Sequence, residues 1–243
     1  MIMPGLYDWT LALLVPGVIL GIYAQAKVRS SYARFSKVMS RRGVTGAHAA
    51  RALLQVQGIT VYPDAETAAS AKEYGIAVDR VGGQMTDHFD PRHKVIRLSD
   101  GVYHGNSLAA LGIAAHEAGH AIQHTTGYLP VMIRSGIYPL VALSNYLWMI
   151  LFFAGIFMSY PPLITIGIYL FAAIVAFQII TLPTEFNASK RALALLTEHG
   201  IVTGDERASV KKVLDAAALT YVAATLMAVL QLIRLILISR DRR

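Results

Sequence analysis

Four stretches of the chain carry almost unbroken apolar side chains: Leu6 to Ala26, Tyr138 to Met158, Leu163 to Leu182 and Ala216 to Ile238. Each is close to the roughly 20 residues that a helix needs to cross a hydrocarbon core, so the pattern predicts about four transmembrane helices. Between them the pattern changes. After the first run, KVRSSYARFSKVMSRRG mixes basic and apolar positions and predicts a helix lying near lipid headgroups. TGAHAARALLQVQG predicts a helix capped by Thr45, running to about Gln57 and stopped by Gly58. ITVYPD reads as a short strand and DAETAASAKEYG as a short helical segment. IAVDRVGGQMTDHFDPRHKVIRLSD has β-type runs broken at Gly82-Gly83 and Asp90-Pro91, which predicts a small meander of strands. Ser107 then caps the helix SLAALGIAAHEAGHAIQHTTG, which ends at Gly127. Past the third apolar run, a helix near Glu185 to His199 stops at Gly200, and another starts near Gly204 or Asp205.

Composition strengthens the membrane reading: 55% of the 243 residues are hydrophobic and the mean hydropathy is +0.48, high for a soluble domain. The first apolar run has no Lys or Arg before it, so it lacks the basic flank of a secretory signal and is expected to stay as an anchor. Tyr7 and Trp9 at one end and Lys27 at the other suit the two interfaces. The net charge of +7 could point to nucleic acid, but its distribution points elsewhere. Of 22 Lys and Arg, 13 lie from Lys27 to Arg134 and five from Lys190 to Lys212, whereas the connection Ser159-Tyr160-Pro161-Pro162 has none. That is the positive-inside pattern, and it places 27–137 and 183–215 on the cytoplasmic side. Arg240, Arg242 and Arg243 go against the rule if the last helix crosses, as it is expected to. Cysteine is absent, which excludes disulfides, thiolate ligands and thiol nucleophiles.

The chemistry lies in AAHEAGHAIQH, at 114–124. His116 and His120 are four apart and share a helix face, about 6 Å apart along the axis, so two imidazoles can converge on one ion. Glu117, between them, can take a proton from a water bound there. This is H-E-x-x-H on a capped helix, the pattern of zinc metallopeptidases. A catalytic zinc needs a third protein ligand and an open position. His124 is one turn further on, but three ligands in a row on a straight helix span about 12 Å and cannot reach one ion. Glu185, Glu198, His199 and several aspartates remain open from the residues alone. His48 reads as a surface residue. Tyr103, His88, His124, Tyr128 and His199 are all candidates to donate to an oxyanion.

A resemblance closes the choice of third ligand. HEAGH, followed after a hydrophobic hairpin by Glu185-Phe186-Asn187-Ala188-Ser189, resembles the gluzincin layout of membrane zinc proteases of the HtpX and CAAX-protease type, in which a second helix supplies E-x-x-A-D. More closely, TDHFDPRHKVIRLS (86–99), SLAALGIAAHEAGHAIQH (107–124), LPTEFNASKRALALL (182–196) and AAALTYVAATLMAVLQLI (216–233) resemble the bacterial YugP-like neutral zinc metallopeptidase family. The resemblance implies zinc held by His116, His120 and Glu185, with Glu117 as general base. Ser189 stands where the HtpX-type pattern has an aspartate that orients a ligand histidine, so Asn187, Ser189 or another carboxylate has to take that part.

The combined expectation is a mainly α membrane protein with a zincin-like HExxH helix, a small β-meander and about four transmembrane helices. Its parts are an N-terminal anchor (1–26), a cytoplasmic zincin-like part (27–137), a transmembrane hairpin (138–182), cytoplasmic helices with the third ligand (183–215), and a C-terminal transmembrane helix with a basic tail (216–243). As a multi-pass protein of the inner or plasma membrane, with its site facing the cytoplasm, it would hydrolyse protein or peptide substrates at the bilayer. The alternative is a non-proteolytic scaffold with a structural zinc site. Metal transport is disfavoured, because Arg234 is the main ionisable residue in the spans. Small residues such as Ala216 to Ala218, Ala223 and Ala224 permit packing against a second copy or another membrane protein, and no nucleic-acid partner is expected.

Overall fold

The structure, a computed structural model, describes residues 9–240; the expectations for Tyr7, Arg242 and Arg243 lie outside them. Among the described residues the fold is mainly α, with four helices long and apolar enough to cross a membrane and one small mixed sheet. After a 3-10 turn at Trp9–Leu14 the elements are α1 (Val15–Phe35), α2 (Gly46–Val56), β1 (Thr60–Tyr62), α3 (Ala65–Ser70), β2 (Gly75–Val81), β3 (His88–Asp90), β4 (Val95–Ser99), α4 (Asp100–Tyr103), α5 (Leu108–Thr125), α6 (Leu129–Phe157), α7 (Pro161–Glu198) and α8 (Gly204–Arg240). Two compact units result. One comprises the described residues up to Gln25, Met132–Pro183 and those from Leu219 onward; the other is Ala26–Val131 with Thr184–Ala218.

The first unit is packed by close helix contacts. A side chain at Gly167 would meet the Trp148 carbonyl at 2.8 Å and the Phe152 amide at 2.9 Å, so α6 and α7 touch through backbone there. Trp148 and Phe171 pack nearby as a tilted ring pair, 4.6 Å between centroids. Small residues permit such contacts where no hydrophobic effect drives helices together. Phe157 is 85% exposed and Tyr146 77%, as apolar and aromatic side chains facing lipid would be. Arg234 is not stranded: its Nε donates to the Thr10 hydroxyl at 3.2 Å.

The second unit has an ordinary aqueous-type core. Leu53 and Leu54 of α2, Ile76 and Val78 of β2, Ile96 and Leu98 of β4, Leu111 and Ile122 of α5 and Leu196 of α7 are fully buried together. The sheet is not the meander that the sequence predicts. Its order is β1-β2-β4-β3, with β1 parallel to β2, β2 parallel to β4, and only β3 antiparallel to β4. The cause is burial. β2 and β4 carry adjacent buried residues such as Ile76-Ala77-Val78 and Val95-Ile96, so both faces of these strands are covered and they take the centre. The short α3 makes the crossover that a parallel pair requires. His88-Phe89-Asp90 has no fully buried position and forms an edge.

The long helices also run further than composition suggests. The basic stretch after Ala26 does not form a separate surface helix; it continues α1 to Phe35, and residues from Ser36 are turns. α7 passes through Pro183 without a break, and α8 runs from Gly204 to Arg240 as one helix. Proline at 183 removes one backbone donor, a loss that a long, packed helix absorbs.

Candidate metal centre

α5 is the buried helix of the second unit. Ser107 caps it by accepting from the Ala110 amide, and Ala114, Ala115, Ala118 and Ala121 are fully buried. Small residues on this face let α7 come close. Gly119 is the tightest point: a Cβ there would lie 2.7 Å from the Ala188 carbonyl oxygen and 3.2 Å from its Cα. α5 and α7 therefore meet backbone to backbone within one turn of both histidines and of Glu185. Gly119→Ala is expected to force the helices apart, at a cost of about 1–3 kcal/mol from overpacking. Metal-free melting temperature and zinc affinity should fall together in this variant; an unchanged affinity would mean that the close approach does not set the site.

That approach brings three donor atoms together. His116 Nε2 and His120 Nε2 are 3.1 Å apart, and Glu185 Oε2 lies 3.3 Å from the first and 3.4 Å from the second. Ligand atoms about 2.0–2.1 Å from a tetrahedral zinc stand about 3.3 Å from one another, so the triangle has the right size for one ion. Among the described residues this is the group of His, Asp and Glu able to hold a metal. Glu185 is 2% exposed, and a buried carboxylate between two imidazoles is a costly arrangement unless paired or bound to a cation. Glu117 is buried beside them. Burial works against the charged form of His120, but the hydrogen bond with Glu185 and the charges of Glu117 and Glu185 outweigh it and raise its pKa above the ordinary imidazole value. A proton thus competes with a metal for His120 at higher pH than it would on a free imidazole.

The rings are held from behind. The Ser189 hydroxyl is 3.1 Å from His116 Nδ1, where the related pattern has aspartate. His120 Nδ1 is 3.1 Å from Gln123 Oε1, and the amide nitrogen of Gln123 donates to the Thr184 carbonyl at 2.8 Å and to Asn187 Oδ1 at 3.0 Å. Sequence reasoning misses Gln123. The one signal for it is a polar residue three positions after His120 on a helix otherwise lined with Ala, Gly and Ile.

Several sequence candidates are not part of this group of ligand atoms. Glu198 and His199 are exposed at the end of α7. His124 shares a hydrogen bond with the Tyr74 hydroxyl at 3.3 Å and sets its ring edge against Phe89. The Tyr103 hydroxyl accepts from Arg51 at 2.8 Å, His88 donates to the Thr86 carbonyl, and Tyr128 lies under the Arg191 guanidinium. His48 is exposed.

Residues 10–240 match the family described as "Putative neutral zinc metallopeptidase". The chain belongs to this family. The zinc in its description suits the donor set of two imidazoles and a carboxylate. A relative from Bacillus subtilis (strain 168), named "Putative membrane protease YugP", is 41% identical over 224 residues, covering 92% of this chain and 93% of that protein. No solved structure matches the chain. The family's members are described as peptidases and the relative as a membrane protease, in keeping with the four apolar helices.

Proposed function

We propose that the protein is a gluzincin-like zinc metalloendopeptidase of the inner or plasma membrane, cutting membrane or membrane-proximal proteins at the cytoplasmic face. The observation that carries the reading is the 3.1 to 3.4 Å triangle of His116 Nε2, His120 Nε2 and Glu185 Oε2, the three atoms that would hold the ion. The cytoplasmic orientation rests on the concentration of Lys and Arg in 27–134 and 190–212.

Zinc, when bound, supplies a Lewis acid that polarises a peptide carbonyl and acidifies a water. Glu117 receives the proton of the attacking water on its carboxylate and delivers it to the leaving amide nitrogen. His116 and His120 keep their Nε2 atoms toward the ion because Ser189 and Gln123 engage the opposite ring nitrogens. β3, the edge of the sheet next to α5, offers backbone groups to an extended segment of substrate. Recognition through backbone gives low sequence specificity, which suits a protease acting on unfolded or misassembled chains.

The test is elemental analysis and cleavage on the purified full chain in detergent, with an unfolded membrane protein as substrate. One zinc per chain is expected, with cleavage lost on chelation and restored by zinc. Stoichiometric zinc with no cleavage of any substrate would turn the reading toward a scaffold with a structural site.

A further inference from the structure

The hydrogen bonds around Gln123 fix where protons must sit, and they do so differently at the two histidines. The Arg191 Nε donates to Asn187 Oδ1 at 2.8 Å. A guanidinium can only donate, so the atom it meets on Asn187 is the carbonyl oxygen. That same oxygen and the Thr184 carbonyl, both acceptors, are the partners of one terminus of Gln123. This terminus must therefore be the NH2 group, and the other, 3.1 Å from His120 Nδ1, must be the oxygen. An amide oxygen only accepts. His120 Nδ1 must carry a hydrogen, and a neutral His120 is then left with its lone pair on Nε2, the atom facing Glu185 and His116. At His116 the partner is the Ser189 hydroxyl, which can donate or accept and so imposes no tautomer. Gln123 is 0% exposed, so no water competes for these bonds, and an unmatched orientation of its amide would bury two acceptors against an oxygen.

We propose that Gln123 is a positioning residue that presets His120 in the Nδ1–H tautomer before any metal arrives, whereas the Nδ1 partner of His116, the rotatable hydroxyl of Ser189, imposes none. Asn187 and Arg191 are the far end of the same clamp. Once neutral, the histidine that the clamp controls needs no change of tautomer to bind zinc, and the same amide anchors the helix that carries Glu185. The proposal rests on the assignment of His116, His120 and Glu185 as ligands.

The test is long-range proton–nitrogen NMR of the metal-free full chain in micelles, labelled at histidine nitrogens and recorded at mildly alkaline pH, with His120→Asn used to identify the His120 signals. Zinc affinity is measured in parallel by chelator competition. His120 is expected to be wholly in the Nδ1–H form in wild type and in Ser189→Ala, and a mixture of tautomers in Gln123→Met. Zinc affinity should drop in Gln123→Met by about the 10–100-fold seen when the hydrogen-bond partner of a ligand histidine is removed. A wild-type His120 in the Nε2–H form overturns the proposal, and that spectrum decides even if Gln123→Met does not fold. An unchanged tautomer in a folded Gln123→Met overturns it equally. Cleavage does not enter these readouts, so a chain that shows the expected pattern yet cuts nothing leaves the clamp standing and the peptidase reading fallen.

Discussion

Glu117→Gln is expected to keep its zinc and lose cleavage by about 10²–10⁴-fold, the usual contribution of a positioned general base. The amide has nearly the volume of the carboxylate, so the packing of α5, where Glu117 is buried among alanines, should survive. On the proposed mechanism, what disappears is the acceptor for the proton of the attacking water. The proposed ligand atoms belong to His116, His120 and Glu185, and none is altered. The loss should therefore fall on kcat, with KM little changed and zinc stoichiometry as in wild type. Retained cleavage in Glu117→Gln would remove the general base from the mechanism. Loss of zinc from this variant would instead show that Glu117 contributes to binding.

Glu185→Ala should show the opposite pattern. It deletes one corner of the 3.1 to 3.4 Å triangle and the negative charge that both imidazoles face. Zinc affinity should fall by more than the roughly 10–100-fold cost of losing a ligand's hydrogen-bond partner, because here a ligand itself is gone. Stability gives a second readout. A ligand that binds only the folded state raises the melting temperature by mass action, so added zinc should stabilise wild type strongly and Glu185→Ala weakly. Full zinc occupancy in Glu185→Ala would mean that the third ligand lies elsewhere, and Asp or Glu side chains beyond the present cluster would have to be scanned.

Much of this site is legible in the amino-acid sequence, for identifiable reasons. The H-E-x-x-H spacing maps directly onto helical geometry, and Ser107 and Gly127 bracket the helix with standard cap chemistry. The proposed third ligand is not legible from residues alone: Glu185, Glu198 and His199 all sit near the same point in the chain, and only family resemblance separates them. In the fold they differ by burial, with Glu185 facing α5 and the other two in solvent. Gln123 escapes notice because a lone glutamine on a helix carries no motif; its meaning comes from Thr184 and Asn187, some sixty residues away.

The fold shows the same division. Short elements with caps, such as the helix started by Thr45, fall where the sequence puts them. The sheet departs from expectation because order along the chain suggests hairpins, whereas the strands that must be covered on both faces take the middle. Helix ends in the apolar segments depart from it for a related reason. Changes from apolar to polar composition at 26, 183 and 216 mark a change of surroundings for the side chains, while the helices continue through them.

The backbone contact between Gly119 and Ala188 joins residues far apart in sequence, with all of α6 and most of α7 between them. Contacts of this kind close a large loop and form only after the intervening chain has been made and has found its place. During synthesis, His116 and His120 leave the ribosome well before Glu185 exists. A zinc ion captured by the two histidines alone would lack the carboxylate that completes the triangle. Topology thereby fixes when the proposed site can be complete: the apolar hairpin comes first, and a chain stalled or cut before Glu185 has been made carries no finished triangle. The complete triangle is in this way a property of the full-length fold alone.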